Sequence, residues 1–211
     1  MSDLTIWTYD WVPEMPRGFV RDLRLRWACR EASLDYRIAT VPFNGREANH
    51  QDRQPFGQVP YLSDGDVHIF ESGACLLHLA RQSEALMPRD SVGEAETIQW
   101  LFAALNSIEI VTVPWLFLRF SGHADTPLTT WLGSRLTQLE RVLDSREWLA
   151  ADRFTVADLL MADVLRGDPL KTFTDRPATD AYVARVTSRA AFQRAHEEQL
   201  AQFARADADR A

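Results

Sequence analysis

The sequence predicts an α/β unit followed by an all-helical unit. Two patterns carry this prediction. Up to residue 85, short runs of strand character alternate with runs of helical spacing. Beyond residue 91 the strand signals stop, and apolar residues recur every three or four positions. Leu86-Met87-Pro88-Arg89-Asp90-Ser91 interrupts both patterns, so the expected division is 1–85, a linker at 86–91, and 92–211.

Leu4, Ile6 and Trp7 form a short apolar run ending near Tyr9, a first strand. Pro13, Pro16 and Gly18 mark a loop after it. From Phe19 the spacing is helical: Val20, Leu23, Trp27 and Ala28 recur, while Arg21, Arg24 and Arg26 fill other faces. Tyr36 to Val41 reads as a second strand, and the polar stretch Asn44 to Arg53 as a loose helix or loop. Val59 to Leu62 and Val67 to Phe70 flank the turn signal Ser63-Asp64-Gly65-Asp66 and make a hairpin. Ala74, Leu76, Leu77 and Leu79 give another helix. This order of elements is thioredoxin-like and predicts a mixed four-stranded sheet with helices on its faces.

In the second half, Leu101, Ala104, Leu105, Ile108, Val111 and Trp115 line one face of a long helix. Pro114 lies inside it, removes a backbone donor and predicts a kink or break. Further helices are expected over 131–143, 156–165, 181–186 and 192–203, with a polar tail from Arg205 that frays. Thr155 and Asp158 have the spacing of a capping box, and Phe154 and Leu159 that of a hydrophobic staple.

Composition narrows the function. Hydrophobic residues make up 46% of 211, enough for a substantial core. The net charge of −7 argues against binding nucleic acid through its phosphates. Cys29 and Cys75 do not form a Cys-x-x-Cys pair, which disfavours a dithiol centre and a metal site. The N-terminus lacks the basic and apolar regions of a leader, and no apolar stretch reaches the length of a bilayer span. A cytoplasmic protein with no membrane partner is expected.

Residues 55–62 read Pro-Phe-Gly-Gln-Val-Pro-Tyr-Leu, and residues 70–73 read Phe-Glu-Ser-Gly. The first segment brings a Val-Pro bond, a candidate for the cis form, to the entry of an edge strand. The second sets a carboxylate, a hydroxyl and open backbone N–H groups at the start of an apolar helix, which suits an anion. Ser and Glu also serve as plain helix caps there, and both roles can hold at once. Together the segments resemble the glutathione site of the cytosolic glutathione S-transferase family, and the two-part plan resembles that family over nearly the whole chain.

The resemblance implies glutathione as co-substrate, a small electrophile as its acceptor, and a homodimer. Val59, turned by cis-Pro60, would pair its backbone with the glutathione peptide. Ser72 and the helix N-terminus would take the γ-glutamyl carboxylate, and Glu71 the ammonium. His50, Gln51, Arg53 and Gln54 are candidates for the glycyl carboxylate, with His50 and Gln54 put forward. The family activates the thiol with Tyr, Ser or Cys near the first strand. This chain has no Ser or Cys between residues 3 and 28, which leaves Thr8, Tyr9, Trp11, Arg17 and Arg21, with Tyr9, Trp11 and Arg17 put forward as catalytic. Trp11, Phe102, Asn106 and Trp115 are candidates for the electrophile side. The same scaffold also carries glutathione-dependent isomerases and dehalogenases, and the bacterial stringent starvation proteins keep it for protein contacts.

Overall fold

The computed structural model describes residues 3–45, 48–123, 125–173 and 175–210, the side chains of residues 48 and 49 excepted. The chain forms two compact units. One is Met1–Ser83 together with Arg189–Ala211, and the other is Glu84–Ser188.

The first unit runs β1 (Thr5–Tyr9), α1 (Asp22–Ala32), β2 (Arg37–Val41), α2 (Ala48–Arg53), β3 (Tyr61–Asp64), β4 (Val67–Phe70) and α3 (Ser72–Arg81). The sheet order is β2-β1-β3-β4, with β1 parallel to β2 and the other pairs antiparallel. This is the thioredoxin-like arrangement that the element order predicts. Alternation along β1 buries Ile6 and Thr8, and Leu62, Leu23, Trp27, Leu76 and Leu79 are buried with them. On β1, Trp7 faces the other way and stacks on Tyr61, with ring centroids 5.3 Å apart. The Arg53 guanidinium lies 4.9 Å over the Trp7 ring. Helix α1 starts at Asp22 rather than Phe19, because Gly18 sits at φ +78°, outside helical space, and residues 14–21 form turns and bends.

The second unit holds α4 (Ser91–Ala103), α5 (Ile110–Phe120), α6 (Pro127–Asp144), α7 (Val156–Leu165) and α8 (Pro177–Thr187). Pro114 does not break its helix. The departure from α geometry is a π-helical turn, Ala104–Glu109, just upstream, which joins α4 to α5. The resulting run, Ser91–Phe120, is 30 residues and is long and apolar enough to cross a membrane by length and composition, which no single stretch of the sequence announced. Its residues Leu101, Ala104, Ile108, Val111 and Trp115 are buried as core. Residues 86–91 are no exposed linker: Leu86 and Met87 are buried, the Leu86 carbonyl accepts from Val156 N–H at 2.9 Å, and Asp90 caps α4 by accepting from Gly93 N–H at 2.8 Å.

The capping box forms at the head of α7. Asp158 Oδ2 accepts from Thr155 N–H at 2.9 Å, and Thr155 Oγ1 accepts from Ala157 N–H at 3.3 Å. Asp158 does more than the box requires. Its Oδ1 accepts from Leu149 N–H at 3.0 Å and from the Tyr182 hydroxyl at 3.0 Å.

The last helix, α9 (Ala190–Ala208), belongs to the first unit and packs on α1, although the sequence pattern grouped it with the helical half. Trp27 meets Phe192 edge to face at 4.7 Å. Arg189 forms a two-pronged pair with Glu31, both contacts 2.7 Å. Between the helices, buried Asp22 accepts from Arg26 Nε at 2.7 Å and from Gln199 Nε2 at 2.6 Å, and Arg26 Nη2 donates to Gln202. Gly18 N–H donates to Gln199 Oε1 at 3.1 Å, and a Cβ at Gly18 would stand 2.6 Å from His196 Nε2, so the approach needs glycine.

Candidate functional site

The Val59-Pro60 peptide is cis and stands immediately before β3. Gln54 shapes the loop that leads to it. Its buried side-chain oxygen accepts from Phe56 N–H at 2.7 Å and Gln58 N–H at 3.1 Å, and its carbonyl accepts from Gly57 N–H at 2.9 Å. His50, one turn earlier on α2, is also buried and its ring lies 5.6 Å from that of Tyr61. Neither ring nitrogen of His50 has a hydrogen-bond partner among the described residues. Both side chains therefore sit inside the unit, whereas their polar stretch reads as surface.

Ser72 is the first residue of α3 and is buried, and Glu71 before it is exposed. Glu71 adopts φ 71° and ψ 120°, a region that side chains bearing a Cβ rarely occupy. Such strain costs on the order of 1–3 kcal/mol and concentrates at functional sites. A glycine would take this conformation without the penalty, yet the chain carries glutamate here. Glu71→Gly is expected to raise the unfolding free energy by about 1 kcal/mol while weakening ligand binding. Urea melts and calorimetry on the same variant check both halves, and a variant less stable than the parent would reject the strain argument.

One contact of Ser72 was not legible in the sequence. Arg24 of α1 is buried, and its Nη1 donates to Ser72 Oγ at 3.2 Å.

The register of β1 against β3, with Trp7 opposite Tyr61, and of β3 against β4, with Tyr61 opposite Phe70, brings the end of β1 to the same edge of the sheet as the Val59-Pro60 entry and the start of α3. There Tyr9 closes β1, packs edge to face on Phe43 at 5.3 Å, and accepts at its backbone oxygen from Gln202 Nε2 at 3.2 Å. Trp11 and Arg17 meet on one carboxylate of α9. Trp11 Nε1 donates to Asp207 at 2.7 Å, and Arg17 donates to it at 2.5 and 2.7 Å. Arg17 also holds the Val12 carbonyl through Nε and Nη2. Arg210 lies 4.8 Å over the Trp11 ring and pairs with Asp10 at 3.1 Å. The tail expected to fray thus clasps the 10–18 loop. The hydrogen bonds from Arg17 and Trp11 pull the Asp207 carboxyl down to about 2, so the clasp is fully present above the ordinary aspartate range and is lost as pH falls through about 2.

Neither cysteine is a reactive thiol, since burial pushes each up to about 12. Trp115 is core of the helical unit, with Nε1 donating to Thr129 at 3.1 Å, whereas Phe102 and Asn106 are exposed. A groove of about 560 Å³ between β2 and α9 contains none of the expected binding residues. Its charged lining pairs internally, as in Arg30 with Glu198 at 2.5 Å.

Comparison with known proteins matches the same features. Residues 16–81 match the model of the glutathione S-transferase N-terminal domain, a span that begins after Tyr9 and Trp11 and contains the two motifs. A glutathione S-transferase of Hyoscyamus muticus is 29% identical over 83% of this chain and 92% of its own. Glutathione S-transferase F6 of Arabidopsis thaliana is 30% identical over 81% of this chain and 91% of its own. A glutathione transferase family member of Pseudomonas fluorescens, solved with two glutathione bound, superposes with a TM-score of 0.79 at 21% identity, covering 93% of each chain. With the fold, the cis-proline loop, the Glu-Ser helix start and these relatives in agreement, the chain belongs to the glutathione S-transferase family.

Proposed function

We propose that the protein joins the thiolate of glutathione to a small electrophile. The observation that carries this reading is the cis Val59-Pro60 bond ahead of β3 together with Ser72 at the head of α3, in a member of this family. Val59 offers its backbone to the glutathione peptide, a strand-edge pairing. Ser72 and the open amides of α3 receive the γ-glutamyl carboxylate, and Glu71 its ammonium. Gln54 holds the loop in shape, and the unpaired ring of buried His50 gives a polar partner toward the glycyl end.

Catalysis rests on thiolate stabilisation and proximity. Tyr9 is our first choice for the group beside the sulfur. The charge of Arg17 is neutralised by Asp207, so Arg17 and Trp11 act on the thiol only through the shape of the 10–18 loop unless that clasp opens. The exposed apolar residues Phe102, Ile110, Phe117 and Phe120 of the long helix fit pairing with a second copy, in line with a homodimer. Two unpaired thiols fit a reducing cytoplasm.

Calorimetry with glutathione, followed by conjugation assays over a panel of electrophiles, tests the proposal. Ser72→Ala is expected to weaken glutathione binding by about tenfold, the loss of one hydrogen bond to a charged group, with the fold intact. An unchanged dissociation constant would remove Ser72 from the site. Absence of glutathione binding in the parent protein would sink the proposal, and binding without turnover would favour the regulatory role.

A further inference from the structure

We propose that Arg24 is a positioning residue that makes Ser72 selective for a carboxylate. The inference rests on the glutathione reading of the site. Helix α1 packs along α3 and brings Arg24 under the first residue of that helix. A guanidinium carries donors only and stays charged in proteins, so at the 3.2 Å contact with Arg24 the Ser72 oxygen must accept. A hydroxyl has a single proton. With Arg24 engaging a lone pair, that proton is directed away from α1, and the adjacent positive charge makes it a stronger donor.

Ser72 also stands among the open N–H groups of α3. The ligand therefore meets a donor hydroxyl and donor amides, with the buried Arg24 guanidinium behind the hydroxyl. Every one of these groups favours an anionic acceptor. An ammonium in the same place would meet these donors and find only the second lone pair of Ser72 Oγ to accept its protons. The pair thus distinguishes the α-carboxylate end of a γ-glutamyl group from its amine end and fixes the orientation in which the peptide enters.

The discriminating ligand is 4-aminobutanoyl-cysteinyl-glycine, which differs from glutathione only in lacking that carboxylate. Calorimetry with both ligands is run on the parent, Arg24→Met, Ser72→Ala and the double variant. Arg24→Met is expected to weaken glutathione about tenfold and to leave the analogue within about twofold. The double variant is expected to be no worse than the weaker single one, because both changes remove one device. Equal weakening of both ligands, as a purely structural arginine would give, overturns the proposal, as does no change in either.

Should Arg24→Met fail to fold, Arg24→Lys and Arg24→Gln carry the same test. Lysine keeps the cation and is expected to retain most of the preference for glutathione, while glutamine loses it. Equal preferences in these two variants overturn the proposal. A parent protein that binds neither ligand refutes the glutathione reading itself, and this inference with it.

Discussion

Replacing Asp22 by alanine is expected to lower the unfolding free energy by about 3–5 kcal/mol and to loosen the C-terminal helix. Asp22 is fully buried and holds two donors, Arg26 Nε at 2.7 Å from its own helix and Gln199 Nε2 at 2.6 Å from α9. Burial pushes the Asp22 carboxyl above its ordinary range, and the Arg26 charge beside it pulls the other way. Removing the carboxylate leaves the Arg26 guanidinium buried without its counter-ion, and an uncompensated buried charge costs far more than the pair contributes. Gln199 loses the same anchor, so α9 gives up a tie to α1 at the middle of its buried stripe. Urea denaturation measures the stability loss, and limited proteolysis reports whether α9 is cut first. A loss below about 1 kcal/mol, the size of an exposed pair, would show that the network is not the joint between the helices.

The second large effect is expected at Asp158. Alanine there strands the buried N–H groups of Leu149 and Thr155 and leaves the buried Tyr182 hydroxyl only its 3.4 Å contact with the carbonyl of residue 158. At about 1–3 kcal/mol for each unsatisfied group, with partial relaxation, the expected loss is about 3–5 kcal/mol. Thr155→Ala removes only the cap and is expected to cost about 1 kcal/mol. Thermal and urea melts of the two variants separate a hub from a simple helix cap. Equal losses would reduce Asp158 to its part in the box. Glutathione affinity per folded molecule is expected to be unchanged in both, since neither residue belongs to the first unit.

The difference between these two residues shows what the sequence could tell. Thr155 and Asp158 stand three apart, and local spacing is enough to propose their mutual caps. Leu149 and Tyr182 lie outside that window, and no local pattern ties them to Asp158. The same holds at the site. Pro60, Glu71 and Ser72 were legible because backbone chemistry at a strand entry and a helix start restricts the residue types. Arg24 was not, since it is one of several arginines on α1 and lies 48 residues before its partner.

Glu71 was legible as a charge but not as a strained backbone, because nothing in Phe-Glu-Ser-Gly forces a positive φ. His50 and Gln54 were read as surface from a polar stretch, and tertiary packing buried both. One clue to α9 was present in the pattern itself. Gln199 interrupts the stripe Phe192, Ala195 and Phe203, and a polar side chain in an apolar stripe demands a buried partner. Spacing cannot say that the partner is Asp22.

The discontinuous first unit has a consequence for biosynthesis. Helix α3 ends at Arg81 and α9 begins at Ala190, so residues 82–189, 108 in number, are translated between two parts of one compact body. At roughly 5–20 residues per second, that is a wait of about 5–20 s. During it the nascent sheet, α1 and α3 lie outside the ribosome while Asp22, Gly18, Trp11 and Arg17 still lack their partners on α9. The inserted helices, contiguous in the chain, have no such delay. The unit made first is therefore the one completed last.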